Sequence, residues 1–294
     1  MALPLRSQVR RIIKCLIVGD SRARGLEHYI THNPPQSSSL IDINIEVKVR
    51  PGANLDRLDE LARQAHNIDL ILIVGGICSL TRKNGDIITY PESVKNDVIQ
   101  KIDSIYDSLG ERVHVATIPP VNLISANKAA LNRQAVSRDI LDAQETKLLE
   151  DIKEVNAHII NKNKERDCPT LLLAKTCYRS TKKKDSKSGK FRTIDKFKSA
   201  QLTDGVHPGE KLRAQWQWLI KTFIEKTALR YTNGNNSEGS EGARSGAKHN
   251  PHTSSESDSD RGSSRPFRAI QNLDNFSSDT DSDHGAFRRK RRKV

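Results

Sequence analysis

Two short runs hold residue types that can do covalent chemistry together. Gly19-Asp20-Ser21 offers a hydroxyl, and Asp204-Gly205-Val206-His207-Pro208 offers a carboxylate three residues before an imidazole. On a turn, that spacing lets Asp204 fix the tautomer and orientation of His207, which can then take a proton from a serine. Each run alone is ordinary. Asp and Ser are common helix N-caps, Asp and Gly favour turns, and proline opens helices. Joined, they supply a nucleophile (Ser21), a base (His207) and an orienting acid (Asp204).

The elements that must join these runs can be read from apolar spacing. Residues 12–18 form an almost continuous apolar run that stops at Gly19, the pattern of a buried strand, and residues 21–32 read as a helix. Ile41, Ile43, Ile45, Val47 and Val49 alternate with polar residues, which predicts a strand with one buried face. A helix is expected over 54–65 with Asn54 as its N-cap, then a strand over 68–74, a helix over 91–109 and a strand over 113–118. A long helical stretch over 127–164, a fifth strand over 170–174, a basic loop over 175–199 and a final helix over 209–230 complete the pattern. Strands alternating with helices predict an α/β fold with a mostly parallel sheet covered on both faces. In such sheets ligands bind beyond the carboxyl ends of the strands, where Ser21 is expected to sit.

A serine after the first strand and an Asp-x-x-His before the last helix resemble the SGNH (GDSL-like) hydrolase family over roughly residues 12–230. Gly52, in Arg50-Pro51-Gly52-Ala53-Asn54, is similar in position to that family's second-block glycine. Gly75-Gly76-Ile77-Cys78-Ser79-Leu80 matches its third block in position, and Ile118-Pro119-Pro120 and Val155-Asn156-Ala157-His158-Ile159 also look familiar. The resemblance implies a three-layer α/β/α, flavodoxin-like fold with a five-stranded sheet. It implies hydrolysis of an ester or acyl group by Ser21, Asp204 and His207, without metal or cofactor. The oxyanion would be held by the N–H groups of Ser21 and Gly52 and by a third-block asparagine side chain. Here Cys78 stands in place of that asparagine, and a thiol is a weak donor. Asn54 and Asn122 are candidate substitutes. Asp20, Gly76, Asn54 and Arg22 are candidates for substrate binding or for support behind the site; Arg22 and Arg24 could meet an anionic substrate. The Gly-Gly-Ile-Cys form of the third block resembles esterase-like domains associated with retrotransposon-like elements in animal genomes.

Composition bounds the rest. Hydrophobic residues are 35% of the 294 and aromatics 4%, too few for a core spread over the whole length. The expected organisation is one hydrolase-type domain over 1–231 and a disordered Ser-rich, acidic tail over 232–294. Serines beside acidic residues around 254–260 and 277–283 read as acidophilic-kinase sites or as a solvated linker. The cluster Arg288, Arg289, Lys290, Arg291, Arg292 and Lys293 reads as a nuclear localisation signal for an import receptor, with nonspecific nucleic-acid binding as the alternative. Cys15, Cys78, Cys168 and Cys177 show no disulfide or metal spacing. The apolar stretch at 12–18 is too short for a membrane span and no signal-cleavage site follows. A soluble, intracellular and nuclear protein is expected. Net charge of +13 favours polyanions in general. Lys182, Lys183, Lys184 and Lys190, with Phe191 and Phe197 among them, therefore leave a second function open: an SGNH-fold module that binds nucleic acid with weak or lost chemistry.

Overall fold

The most apolar runs of the chain pair side by side as a parallel sheet. The computed structural model describes residues 10–37, 41–184 and 191–233. Its first half runs β1 (Arg11–Gly19), α1 (Leu26–His32), β2 (Ile41–Val49), α2 (Leu55–Arg63), β3 (Leu70–Val74) and α3 (Ile77–Leu80), then a hairpin of β4 (Arg82–Asn84) and β5 (Ile87–Thr89). There follow α4 (Val94–Leu109), β6 (Val113–Val115), α5 (Leu123–Ala126), α6 (Lys128–Asn132), α7 (Arg138–Glu165) and α8 (Leu173–Thr176). A second hairpin, β7 (Tyr178–Lys184) and β8 (Phe191–Phe197), leads into α9 (Glu210–Asn233).

The sheet order is β2-β1-β3-β6, all parallel. Alternation along the strands divides the core in two. Leu16, Val18, Ile71 and Ile73 face a cluster shared with α2, α4 and α7. Ile13, Cys15, Ile17, Leu70, Leu72 and Val74 face one shared with α1 and α9. On β2 the period-two set Ile41, Ile43, Ile45, Val47 and Val49 all face the second cluster, as expected of an edge strand with one wet side.

Several elements differ from the sequence expectation. Among the described residues the sheet has four strands, not five. Beside β6 only one ladder-like bond forms, from the Thr117 N–H to the Leu171 carbonyl at 3.0 Å, while the Ala174 N–H donates to the Thr117 hydroxyl at 3.0 Å. β6 is short and Pro119-Pro120 follow it. These prolines lack the N–H groups a fifth strand would need, so α8 forms instead. The expected helix over 21–32 is a 3-10 turn, Ser21–Ala23, followed by α1. The long stretch divides into α6 and α7, and the expected basic loop contains the β7–β8 hairpin. Aromatic and β-branched residues favour strands, and the cross-strand pairs Tyr178–Phe197 and Thr181–Ile194 account for that hairpin. The β4–β5 hairpin turns at Gly85-Asp86 and is tied down by Asn127, whose side chain bonds both the N–H and the carbonyl of Ile88 at 2.7 Å. Expectations for Lys190 and for residues 234–294, including Arg288 to Lys293, lie outside the described residues. No helix among those residues is long and apolar enough to cross a membrane.

One buried group sets an acid limit on stability. His114, in the middle of β6, packs edge-on to Phe223 with ring centroids 5.5 Å apart. Burial pushes its pKa down to about 4 from 6.5, with Arg166 adding to the effect. Between those values the unfolded chain binds the extra proton, so stability falls as pH drops from about 6.5 towards about 4 and then levels off. We predict a loss of about 2 kcal/mol between pH 7 and pH 5 from this group. Denaturant titrations should show that His114→Leu removes this part of the pH slope; an unchanged slope would exclude His114 as its source.

Candidate active site

Register brings the chemistry-bearing loops to one level. Gly19 pairs with Val49 of β2 and with Val74 of β3, so the loops carrying Ser21, Gly52 and Gly76 leave three adjacent strands together. The chain moves outward from β1 to β2 and returns to β3 on the opposite side of β1. This is a topological switch point, where open α/β sheets form their ligand crevice. Asp20 caps the turn that carries Ser21 by accepting from the Arg22 N–H at 2.9 Å. Gly19 permits the turn, because a Cβ there would lie 2.5 Å from the Ala23 Cβ.

The Asp204–His207 turn reaches this point from the other end of the chain. Asp204 Oδ1 accepts from the N–H groups of Val206 (3.0 Å) and His207 (2.7 Å), while Oδ2 lies 2.7 Å from His207 Nδ1. His207 Nε2 lies 2.9 Å from Ser21 Oγ, across 186 positions of sequence. Burial raises the Asp204 pKa, but the bonds from His207 and Val206 outweigh it and hold the carboxyl below its ordinary value. An ionised Asp204 places the proton of neutral His207 on Nδ1 and leaves Nε2 to accept the Ser21 hydroxyl. Gly205 has φ +80°, and its carbonyl accepts from the Asn122 N–H at 2.7 Å. A Cβ at that position would overlap the Asn122 carbonyl and sit 2.6 Å from the Ala126 nitrogen.

Sequence reasoning missed how these loops are tied together. Arg22 is buried, not presented to the crevice as an open charge. It donates to the carbonyls of Pro119 (2.6 Å) and Pro120 (3.2 Å), with Asp20 close enough to favour its charged form against burial. Asn156 on α7 clasps the N–H (2.6 Å) and carbonyl (2.9 Å) of Ile118, and Glu145 on α7 accepts from the Asn122 side chain at 3.0 Å. The Ser21 turn, the Pro119-Pro120 loop and the Gly205 turn thus form one hydrogen-bonded sequence. Its signal in the sequence is Pro119-Pro120, which bring no N–H groups to a ladder and whose carbonyls Arg22 meets.

Around Ser21, the candidate oxyanion groups differ in availability. Among the described residues no hydrogen bond occupies the N–H of Ser21 or of Gly52. Asn54 accepts from the Arg57 N–H at 3.1 Å and donates to Asp56, so its amide serves as a helix cap. The Asn122 amide is likewise engaged, by Ser125 N–H and Glu145. Each of these amides spends one of its two N–H donors in these bonds. Gly76 is buried against Ile118 and caps α3, which carries half-buried Cys78. Burial pushes the Cys78 thiol up, Asp20 pushes it further and Arg22 opposes. It is therefore a neutral, weak donor and not a thiolate. Burial also raises Cys15, Cys168 and Cys177. No cluster of three or more His, Cys, Asp or Glu among the described residues is arranged to hold a metal ion.

Comparison with known proteins yields distant structural likenesses. A GDSL-like lipase from Bacteroides thetaiotaomicron is 15% identical, with 77% of this chain and 92% of that chain covered and a TM-score of 0.45. For an acylhydrolase from Bacteroides fragilis, described as putative, the values are 14%, 73%, 87% and 0.45. For a carbohydrate acetylesterase from Sinorhizobium meliloti they are 12%, 74%, 99% and 0.39. No protein-family model matches the sequence, and no curated protein matches it.

The basic hairpin is a separate feature. Lys182 is exposed, and Lys183 and Lys184 continue β7 opposite Arg192 and Phe191. Arg179 pairs with Lys196 across the same hairpin, with both side chains exposed.

Proposed function

We propose that this chain is a serine hydrolase of the SGNH type that cleaves carboxylic esters. The observation that carries the reading is the hydrogen-bonded series Ser21 Oγ, His207 Nε2, His207 Nδ1 and Asp204 Oδ2 at the switch point of a parallel sheet. Ser21 Oγ attacks the ester carbonyl carbon while His207 Nε2 takes the hydroxyl proton. Asp204 stabilises the resulting imidazolium. The tetrahedral oxyanion draws on the unoccupied N–H groups of Ser21 and Gly52. Its collapse breaks the ester C–O bond, and His207 returns the proton to the departing alkoxide. Water then attacks the acyl-serine, giving a proton to His207. The second collapse restores the Ser21 hydroxyl with that proton and releases the acid. Hydrolysis of 4-nitrophenyl acetate by the full chain, with Ser21→Ala beside it, tests the reading. Serine-dependent turnover supports it; equal rates in two folded proteins would end it.

Cys78 is the weak member of this oxyanion site. A side-chain amide at the same position supplies a firmer N–H donor than a neutral thiol. Cys78→Asn should therefore raise kcat on 4-nitrophenyl acetate by about 10²-fold. An unchanged rate would remove Cys78 from the oxyanion site.

A second reading, contact with nucleic acid, is favoured by the cross-strand cations Arg179 and Lys196. Like charges directly opposite one another cost stability unless an anion joins them. Arg179→Glu/Lys196→Glu should weaken binding of a single-stranded oligonucleotide, measured by anisotropy, by about 10-fold or more at low salt. Equal binding by both proteins would discard this surface.

A further inference from the structure

Ser21 and His207 line a shallow crevice of about 280 Å³ that also receives Arg24, Gly25, Pro208, Arg213 and the buried Arg22. Two of these are exposed cations from different elements. Arg24 ends the 3-10 turn that carries Ser21, and Arg213 lies in the first turn of α9, just after the His207 turn. Neither forms an ion pair among the described residues. The Arg213 side chain has only a long bond, 3.4 Å, to the Pro208 carbonyl among the described residues. Glu27 and Glu210, the carboxylates nearest in sequence, pair with neither arginine, and no described acidic side chain lines the crevice. Arg22, by contrast, is committed to the proline carbonyls.

The arginines lie on a definite side of the nucleophile. Ala23, Leu26, Leu212 and Trp216 pack into the core of the α1/α9 face. Ala53, Leu55, Ile77 and Leu80, which anchor the Gly52 and Gly76 loops, pack into the core of the opposite face. A carbonyl oxygen turned towards the Gly52 N–H directs another substituent of the ester towards Arg24 and Arg213. Two unpaired guanidinium groups beside a reacting centre repel one another and present up to ten N–H donors in planar forks suited to carboxylate and phosphate oxygens.

We propose that this crevice selects esters carrying an anionic group, a carboxylate or a phosphate, beside the scissile bond, with Arg24 and Arg213 holding that group. The proposal rests on the serine-hydrolase reading above and assigns its substrate class. Charge-assisted bonds in a partly screened crevice predict a preference of about 10-fold or more in kcat/KM at low salt, shrinking as salt is added.

The test measures kcat/KM of the full chain on matched ester pairs, each divided by its hydroxide-catalysed rate. The acyl arm compares the 4-nitrophenyl monoester of isophthalate with the corresponding methyl 4-nitrophenyl diester. The alcohol arm compares 3-acetoxybenzoate and 3-acetoxyphenyl phosphate with methyl 3-acetoxybenzoate. The expected result is a preference of about 10-fold or more for an anionic member in at least one arm. It should fall to near one in Arg24→Gln/Arg213→Gln and persist in Lys83→Gln, which removes an exposed cation outside the crevice. Ratios within twofold of one in both arms, with Ser21-dependent turnover intact, would overturn the anion assignment alone. If no ester is turned over, or Ser21→Ala retains the rate, the hydrolase reading fails instead. The anion site is then decided by calorimetric titration of isophthalate into Ser21→Ala full chain. Binding about 10-fold tighter than to the same protein carrying Arg24→Gln/Arg213→Gln supports the site; equal or absent binding overturns it.

Discussion

Ser21→Ala and His207→Ala should each lower kcat on 4-nitrophenyl acetate by up to about 10⁶, and the double variant should lose no more than either alone. The reason is that neither group acts without the other. The Ser21 hydroxyl is a poor nucleophile until His207 Nε2, 2.9 Å away, accepts its proton. His207 has no proton to accept once the hydroxyl is gone. Backbone donors at Ser21 and Gly52 remain in all three variants and set a common floor. Multiplying losses would instead mean that the two residues act independently, contrary to the hydrogen-bonded arrangement. Matched thermal unfolding of the variants keeps a folding defect from imitating the result, since Ser21 and His207 are only half-buried.

Gly205→Ala should cost both stability and activity, although the residue carries no chemical group. Its φ of +80° disfavours any side chain, and the added methyl would press on the Asn122 carbonyl and the Ala126 nitrogen, backbone atoms at the two ends of α5. Strain in the left-handed region and overpacking together predict a destabilisation of about 2–4 kcal/mol. If the turn relieves that strain by moving outward, it takes Asp204 and His207 with it. A displacement near 1 Å at His207 Nε2 lengthens its bond to Ser21 and predicts a fall of about 10²-fold in kcat. Asn122→Ala is an informative companion, because it keeps the main-chain bond to Gly205 while removing the side-chain bond to Glu145. Unchanged melting and turnover in Gly205→Ala would show that the turn does not depend on this close approach.

Much of this arrangement is legible in local sequence. The almost continuous apolar run before Gly19, the period-two β2 and the Asn54 cap are all set by neighbouring residues, and tertiary structure leaves them in place. The Asp204–His207 turn is legible for the same reason, since one aspartate both closes the turn and meets the imidazole. Features that depend on distant partners are not. The expected fifth strand fails because its neighbour β6 stops at Val115 and the chain runs on into Pro119-Pro120, a fact about β6 and not about residues 170–174. Arg22 reads as an exposed charge beside a serine, yet those same prolines draw it inwards. The engagement of Asn122 by Glu145 requires the packing of α7, which the charged periodicity of that helix does not specify. Arg213 looks like one solvated charge among many on α9 until the Ser21 turn is seen beside it.

The central claim is that Ser21 is an activated nucleophile, and a fluorophosphonate probe tests it without assuming any substrate. Such a probe bonds covalently to a serine oxygen with loss of fluoride, and peptide mass spectrometry of the full chain locates the bond. The account predicts labelling at Ser21, at least about 10²-fold slower in His207→Ala and absent in Ser21→Ala. A folded chain in which Ser21 stays unlabelled, or is labelled equally fast without His207, would contradict it.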